Sequence, residues 1–276
     1  MKNTQRFRLC LQWIVWLCLM GSLPAGAAST FYIDESLDFS GNGCQNADLN
    51  DVTSQLCDAL RSAGWAGTRW VDANAWPQDF IESCSPLYGA GGLDSIYADA
   101  ALLSVYAGHG NKGLLQWGYP RDGVCTIDFS KNMRLGAMSG AASGFGIYIT
   151  SCTLHTSSLV DGGNWQWLRQ QFGYHNSPSV HGDGAKNFFN GTGSKSNKNS
   201  WLGAMEDRPG WFTGDNSPIV VSYGATASEA LAVHNDAALK RQIYTSPRPG
   251  GPGCGGGQPL FYYVYTFYDH GDGGCR

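Results

Sequence analysis

Two short runs that contain hardly a polar residue constrain this chain's fold more than any other feature. Residues 100–107 read Ala-Ala-Leu-Leu-Ser-Val-Tyr-Ala and stop at Gly108-His109-Gly110; residues 145–150 read Phe-Gly-Ile-Tyr-Ile-Thr and stop at Ser151-Cys152. Short runs that are apolar on both faces suit central strands of a parallel sheet covered by helices. Phe31-Tyr32-Ile33 reads as a short opening stretch, and 217–224 and 261–268 read as further strands. Helical patterns fall at 46–62, where Leu49, Val52, Leu56 and Leu60 keep a three-and-four spacing, and at 131–142, 164–172 and 226–243. Thr226 and Glu229 can open the last of these as a capping box. The pattern predicts an α/β fold, and with no internal repeat and no second core it predicts one domain. In open sheets of this kind ligands bind beyond the carboxyl ends of the strands, which places both polar endings, at His109 and Cys152, on one edge.

The first residues stand apart. Lys2, Arg6 and Arg8 precede an apolar stretch that ends in Pro24-Ala25-Gly26-Ala27, the layout of a secretory signal peptide cut near Ala27. The expected organisation is therefore a leader at 1–27 and a single α/β domain at 28–276, secreted or periplasmic. No later segment is long enough to span a bilayer, so no membrane association is expected after cleavage. Removing the leader's three basic groups moves the formal charge from −4 to −7. No basic footprint is visible beyond scattered Lys186, Lys195 and Lys198, which argues against nucleic acid as a partner. The stretch 181–200, rich in Gly, Asn, Ser and Lys, predicts a mobile insertion open to proteolysis.

Of nine cysteines, Cys10 and Cys18 belong to the leader and seven remain, an odd number for an oxidising compartment. Cys254 with Cys275 is the preferred pair, closing a Gly-rich loop around the last strand. Cys44 with Cys57, or Cys84 with Cys125, follow from order alone. Cys152 is the expected unpaired thiol, because a cysteine nucleophile needs a nearby base to become a thiolate and His109 ends a companion strand. Gly108 and Gly110 are expected to leave room for a substrate backbone. The bland alternative is a hydrogen-bonded His109 and an inert, buried Cys152.

Other chemistries find little support. Cys152, His155, His175, His181 and Asp183 lack the paired spacing of a zinc site, and Asp122, Asp128 and Asp161 are ordinary turn residues outside any calcium-loop motif. No metal is expected. No Gly-x-Gly-x-x-Gly follows a strand and no Gly-x-Ser-x-Gly occurs, so no cofactor is expected and a serine hydrolase is not indicated.

Ala107-Gly108-His109-Gly110 and Ile149-Thr150-Ser151-Cys152, in that order and separation, resemble the His-Gly and Ala/Ser-Cys blocks of the caspase–gingipain–legumain (clan CD) cysteine peptidases. Ala63-Gly64-Trp65, residues 75–80 and residues 172–176 are similar to an uncharacterised secreted bacterial branch of that superfamily, a domain of unknown function, and the likeness covers about residues 30–245. The resemblance implies a caspase-like three-layer sandwich with a mostly parallel central sheet. It also implies a Cys-His dyad hydrolase, expected to be a peptidase, with a peptide or protein substrate. Cys152 would attack the carbonyl, His109 would protonate the leaving amine, and the backbone N–H groups of Gly110 and Cys152 would hold the oxyanion. His175 and Asn176 could line the substrate pocket, or be turn residues. The charged specificity pockets of the known peptidases find no counterpart here, which keeps a second expectation open: a catalytically inactive caspase-like extracellular binding or structural module.

Overall fold

The computed structural model describes residues 29–40, 43–82, 91–136, 142–157, 168–206, 216–246 and 262–275. The expected leader, Cys84, Cys254 and Asp161 lie outside them. In chain order the strands are β1 (Thr30–Glu35), β2 (Ala66–Val71), β3 (Leu103–Ala107), β4 (His109–Asn111), β5 (Leu114–Arg121), β6 (Val124–Asp128), β7 (Phe145–Ile149), β8 (Gln170–Tyr174), β9 (Pro218–Gly224) and β10 (Tyr262–Phe267). Seven of them form one sheet in the order β10-β9-β8-β7-β3-β1-β2, while β4-β5-β6 form a second, small one. From β2 to β8 the large sheet is parallel; β9 and β10 complete it antiparallel.

Both faces of the large sheet are covered, which is why its central strands carry almost no polar residue. Ile33, Val105, Ile147 and Phe172 face one apolar cluster. Their neighbours Tyr32, Tyr106 and Tyr148 face the other, as the two-residue period of a strand requires. The first cluster is closed by helices α1 (Ser54–Ser62), α3 (Gly184–Gly191), α4 (Asn197–Met205) and α5 (Ala227–Asp236). The second is closed by the 3-10 turn Pro77–Phe80, the β5–β6 hairpin and the short helix α2 (Phe129–Asn132). The result is a three-layer α/β sandwich.

Several local expectations are corrected. The 46–62 helix shrinks to Ser54–Ser62, and Gly64 at φ +82° turns the chain after it. Residues 117–128 belong to the β5–β6 hairpin, with Trp117 fully buried. Residues 170–172, expected as helix, belong to β8, an all-buried parallel strand whose sequence period cannot be told from that of a buried helix. The 181–200 stretch is not a mobile insertion but α3 and the start of α4, with Phe188 and, just beyond the stretch, Trp201 fully buried against Phe172 and Phe189 against Trp65. Some of its polar residues cap or pack inside: Ser196 accepts from Asn199 N, and the buried Asn197 donates to Gln170 Oε1 at 2.8 Å.

The antiparallel edge is pinned by one buried imidazole. His234 on α5 hydrogen-bonds Ser222 of β9 (2.9 Å) and Thr266 of β10 (2.8 Å). Burial, aided by Lys198, lowers its pKa to about 4. A histidine buried neutral takes up fewer protons folded than unfolded, so its contribution to stability is complete at neutral pH and is lost as the pH falls from about 6.5 towards about 4. Comparing urea unfolding of the wild type with His234→Gln should show a stability gap that narrows over that range, and NMR titration of the ring should give a midpoint near 4. Phe188→Ala should cost about 3–5 kcal/mol, as for other large core deletions. Limited proteolysis of the native protein should leave residues 184–205 uncut.

Candidate functional site

The carboxyl ends of β1, β3, β7 and β8 open onto one cavity of about 250 Å³. After β1 the chain visits β2 on one side and then β3 on the other, so the cavity lies at the switch of strand order, where open α/β sheets bind their ligands. Glu35 and Ser36 follow β1, Gly108 and His109 follow β3, Thr150 and Ser151 follow β7, and Ser177 and Ser179 follow β8. Ala107 pairs with Ile149 across the parallel β3–β7 ladder, so His109 and Cys152 do leave neighbouring strand ends. Ser151 and Ser177 share a hydroxyl–hydroxyl hydrogen bond of 2.8 Å.

Beside the cavity, the fully buried Glu35 accepts from Val52 N (2.7 Å) and Thr53 N (3.2 Å) and pairs with Arg69, which also reaches Asp51 at 2.8 Å. These links fasten the entry to α1 to the end of β1. Sequence reasoning missed Glu35 and Arg69, because a lone acid at a strand end and a lone base on another carry no spacing signal.

His109 is half-buried, and its Nε2–H donates to the Ala47 carbonyl at 2.7 Å while Phe39 packs edge-on against the ring at 4.7 Å. With the proton fixed on Nε2, the neutral ring keeps a basic Nδ1. Gly108 and Gly110 do not make room for a substrate. A side chain at 108 would collide with the Tyr106 hydroxyl, and one at 110 with Thr150 Oγ1 and the Leu114 carbonyl. These glycines allow the small sheet to close onto the large one.

Cys152 differs most from expectation. It is not the unpaired cysteine: it forms a disulfide with Cys275, 123 residues away, and Cys44 pairs with Cys125. The Cys254–Cys275, Cys44–Cys57 and Cys84–Cys125 pairings are thereby replaced. The free cysteine among the described residues is Cys57, buried in α1 with its thiol pKa pushed up by burial, an inert core group. Order along the chain could not show this, because the segment after β10 folds back across the sheet to the end of β7. Two such disulfides are what an oxidising compartment maintains.

The remaining sequence-predicted groups fall nearby. Cys152 sits at φ +56°, a left-handed conformation that costs a non-glycine residue about 1–3 kcal/mol. Its backbone N–H, expected in an oxyanion hole, donates to the Asn176 carbonyl at 2.9 Å. Asn176 is a turn residue, its side-chain oxygen accepting from Ser217 N at 2.8 Å. Gly110 lies on β4 opposite Leu115. Among the described residues no hydrogen bond joins Cys152 to His109.

His175 faces the segment that carries Cys275. Its Nε2 lies 2.9 Å from Asp272 Oδ1, and the His155 Nε2 lies 3.5 Å from the same oxygen. One residue on, Ser177 N donates to the Gly273 carbonyl at 3.2 Å. The chain therefore lies against its own 175–177 segment as a tight turn, closed by Cys275 N donating to the Asp272 carbonyl at 2.9 Å. A second cluster, the buried Glu82, Asp94 and Asp99, precedes the amino end of β3, the end opposite the cavity; burial pushes Asp99 up to about 7 and Glu82 upward as well. No protein-family model matches this chain, and no curated protein does.

Cys275→Ser should lower stability by about 2–5 kcal/mol, the usual loss for a native disulfide closing a long loop. Peptide mapping without reductant should recover Cys152 joined to Cys275, and alkylation of Cys57 should appear only on unfolding.

Proposed function

We propose that this chain is a secreted cysteine hydrolase of caspase-like build, a peptidase, whose nucleophile Cys152 is stored as a disulfide with Cys275. The observation that carries the reading is the exit of His109 and Cys152 from paired parallel strands, with a peptide-like segment of the chain itself tied across the cysteine. An external dithiol would open the bond. The Cys152–Cys275 S–S bond breaks, a new S–S bond forms within the dithiol, and its two protons end on Cys152 and Cys275.

The chemistry then follows from the residues. His109 takes the Cys152 proton, Sγ adds to the substrate carbonyl, and the amine leaves with that proton. Water then releases the acyl group. The left-handed backbone at Cys152 supports the reading, since such strain gathers where a side chain must be aimed. For the oxyanion, the Cys152 N–H would have to part from Asn176, which the release of the covering segment would allow.

A second reading, a non-catalytic extracellular binding module, is favoured by the engagement of each dyad group in the disulfide form: Sγ by Cys275, the N–H by Asn176 and His109 by Ala47. Mild reduction separates the two. For the hydrolase, iodoacetamide labels Cys152 after reduction, Cys275→Ser is labelled without reductant, and His109→Ala slows labelling at least about tenfold, as expected for loss of a general base. A peptide library is cleaved by the reduced wild type and spared by Cys152→Ala. Labelling indifferent to His109, with no cleavage in the reduced protein, establishes the binding module instead.

A further inference from the structure

His155 and His175 lie with their rings stacked 4.2 Å apart and only 15° from parallel, both side chains nearly inaccessible to solvent. With Asp272 they make a group of three that could be read as a metal site, their ligand atoms falling within 4.8 Å of one another. The hydrogen bonds around the rings point elsewhere. A backbone N–H can only donate, and one meets each Nδ1: Thr156 N at 3.1 Å for His175 and Ser157 N at 3.3 Å for His155. Each Nδ1 is therefore an acceptor, so each neutral ring carries its proton on Nε2. The His175 Nε2–H donates to Asp272 Oδ1 at 2.9 Å, and the His155 Nε2 faces the same oxygen from 3.5 Å. A metal would need the Nε2 lone pairs, and this arrangement has none to offer.

We infer that His155 and His175 form a carboxylate-binding site for the acidic side chain of an Asp-Gly turn in a peptide, a site that the chain's own Asp272 fills. One buried donor and a second buried imidazole facing the same oxygen are an anion cradle, and their partner is replaceable, because the Asp272 side chain is 70% exposed and can swing out. The charges around the cradle agree. Lys112 acts on His155 from the β4–β5 turn, and the hydrogen bond from His175 holds Asp272 below the usual carboxylate range. Burial and the neighbouring His175 push His155 down, which keeps it a neutral donor at pH 7. The peptide, rather than a free anion, is indicated by Ser177 N, which binds the carbonyl of the residue after the acid and so recognises backbone as well as side chain. The site does not depend on turnover at Cys152 and would serve a hydrolase or a binding module alike.

The test vacates the cradle with Asp272→Ala, leaving the disulfide intact. Titration with N-acetyl-Asp-Gly-amide at pH 7 should give saturable shifts of both imidazoles in NMR. The Asn-Gly counterpart should bind at least about tenfold more weakly, the scale of a lost charge-assisted hydrogen bond, and the wild type should respond to neither. Adding His175→Gln to Asp272→Ala should abolish the response. No shift with the acidic peptide, equal shifts with both peptides, or stoichiometric zinc binding through the two rings would each overturn the inference. A measurement on the unaltered protein guards against a misfolded variant: long-range nitrogen–proton correlations should place the proton of both rings on Nε2, and a proton on Nδ1 of either ring would refute the cradle.

Discussion

Everything at this site hangs on the parallel pairing of β1, β3 and β7 with both faces of the sheet buried. That pairing sends Glu35, His109 and Ser151 out of the same edge, and it favours strands that are largely apolar, with Asp34 on β1 and Ser104 on β3 as buried exceptions. The adjoining hairpin sheet adds a second constraint. It seats against the edge only because residues 108 and 110 lack side chains, so the glycines beside His109 serve the scaffold and in doing so fix where the imidazole stands.

The Cys152–Cys275 bond gives the edge its present character. A thiol at a strand end beside an imidazole is a reactive arrangement; the same sulfur in a disulfide is a covalent staple. The segment it retains is held by more than sulfur, since Asp272 meets two imidazoles and Gly273 meets a backbone N–H. Covalent closure raises the effective concentration of these weaker contacts, so contacts that would bind a separate peptide only modestly are kept occupied within the chain. A carboxylate site and a covering segment thus belong to one physical arrangement.

Much of the fold was legible because continuous apolar runs have few alternatives. β3, β7 and β9 appear where those runs fall, and α5 begins at the Thr226 cap, where Thr226 Oγ1 accepts from Glu229 N at 3.1 Å. Elements whose cues were compositional were misread. Residues 181–200 look like a loop by their Gly, Asn and Ser, yet Phe188, Phe189 and Trp201 supply enough buried apolar surface to outweigh modest helix propensity. At the site, His109 and Cys152 were found by their place at run ends, and His175 through the family resemblance carried by residues 172–176. The pairing of Asp272 with His155 and His175 carried no local signal, because the partners are about a hundred residues apart.

The sequence by itself determined the class of sheet, the edge on which chemistry can occur and the presence of an odd thiol, since each follows from local pattern or from counting. Only the tertiary structure decided which sulfur is free and what faces the histidines. Disulfide choice depends on which backbones approach within bonding distance, and here the segment beyond β10 returns to β7. Among the described residues the free thiol is Cys57, set aside in the core by α1. Cys152 is the sulfur that joins the end of β7 to the returning chain.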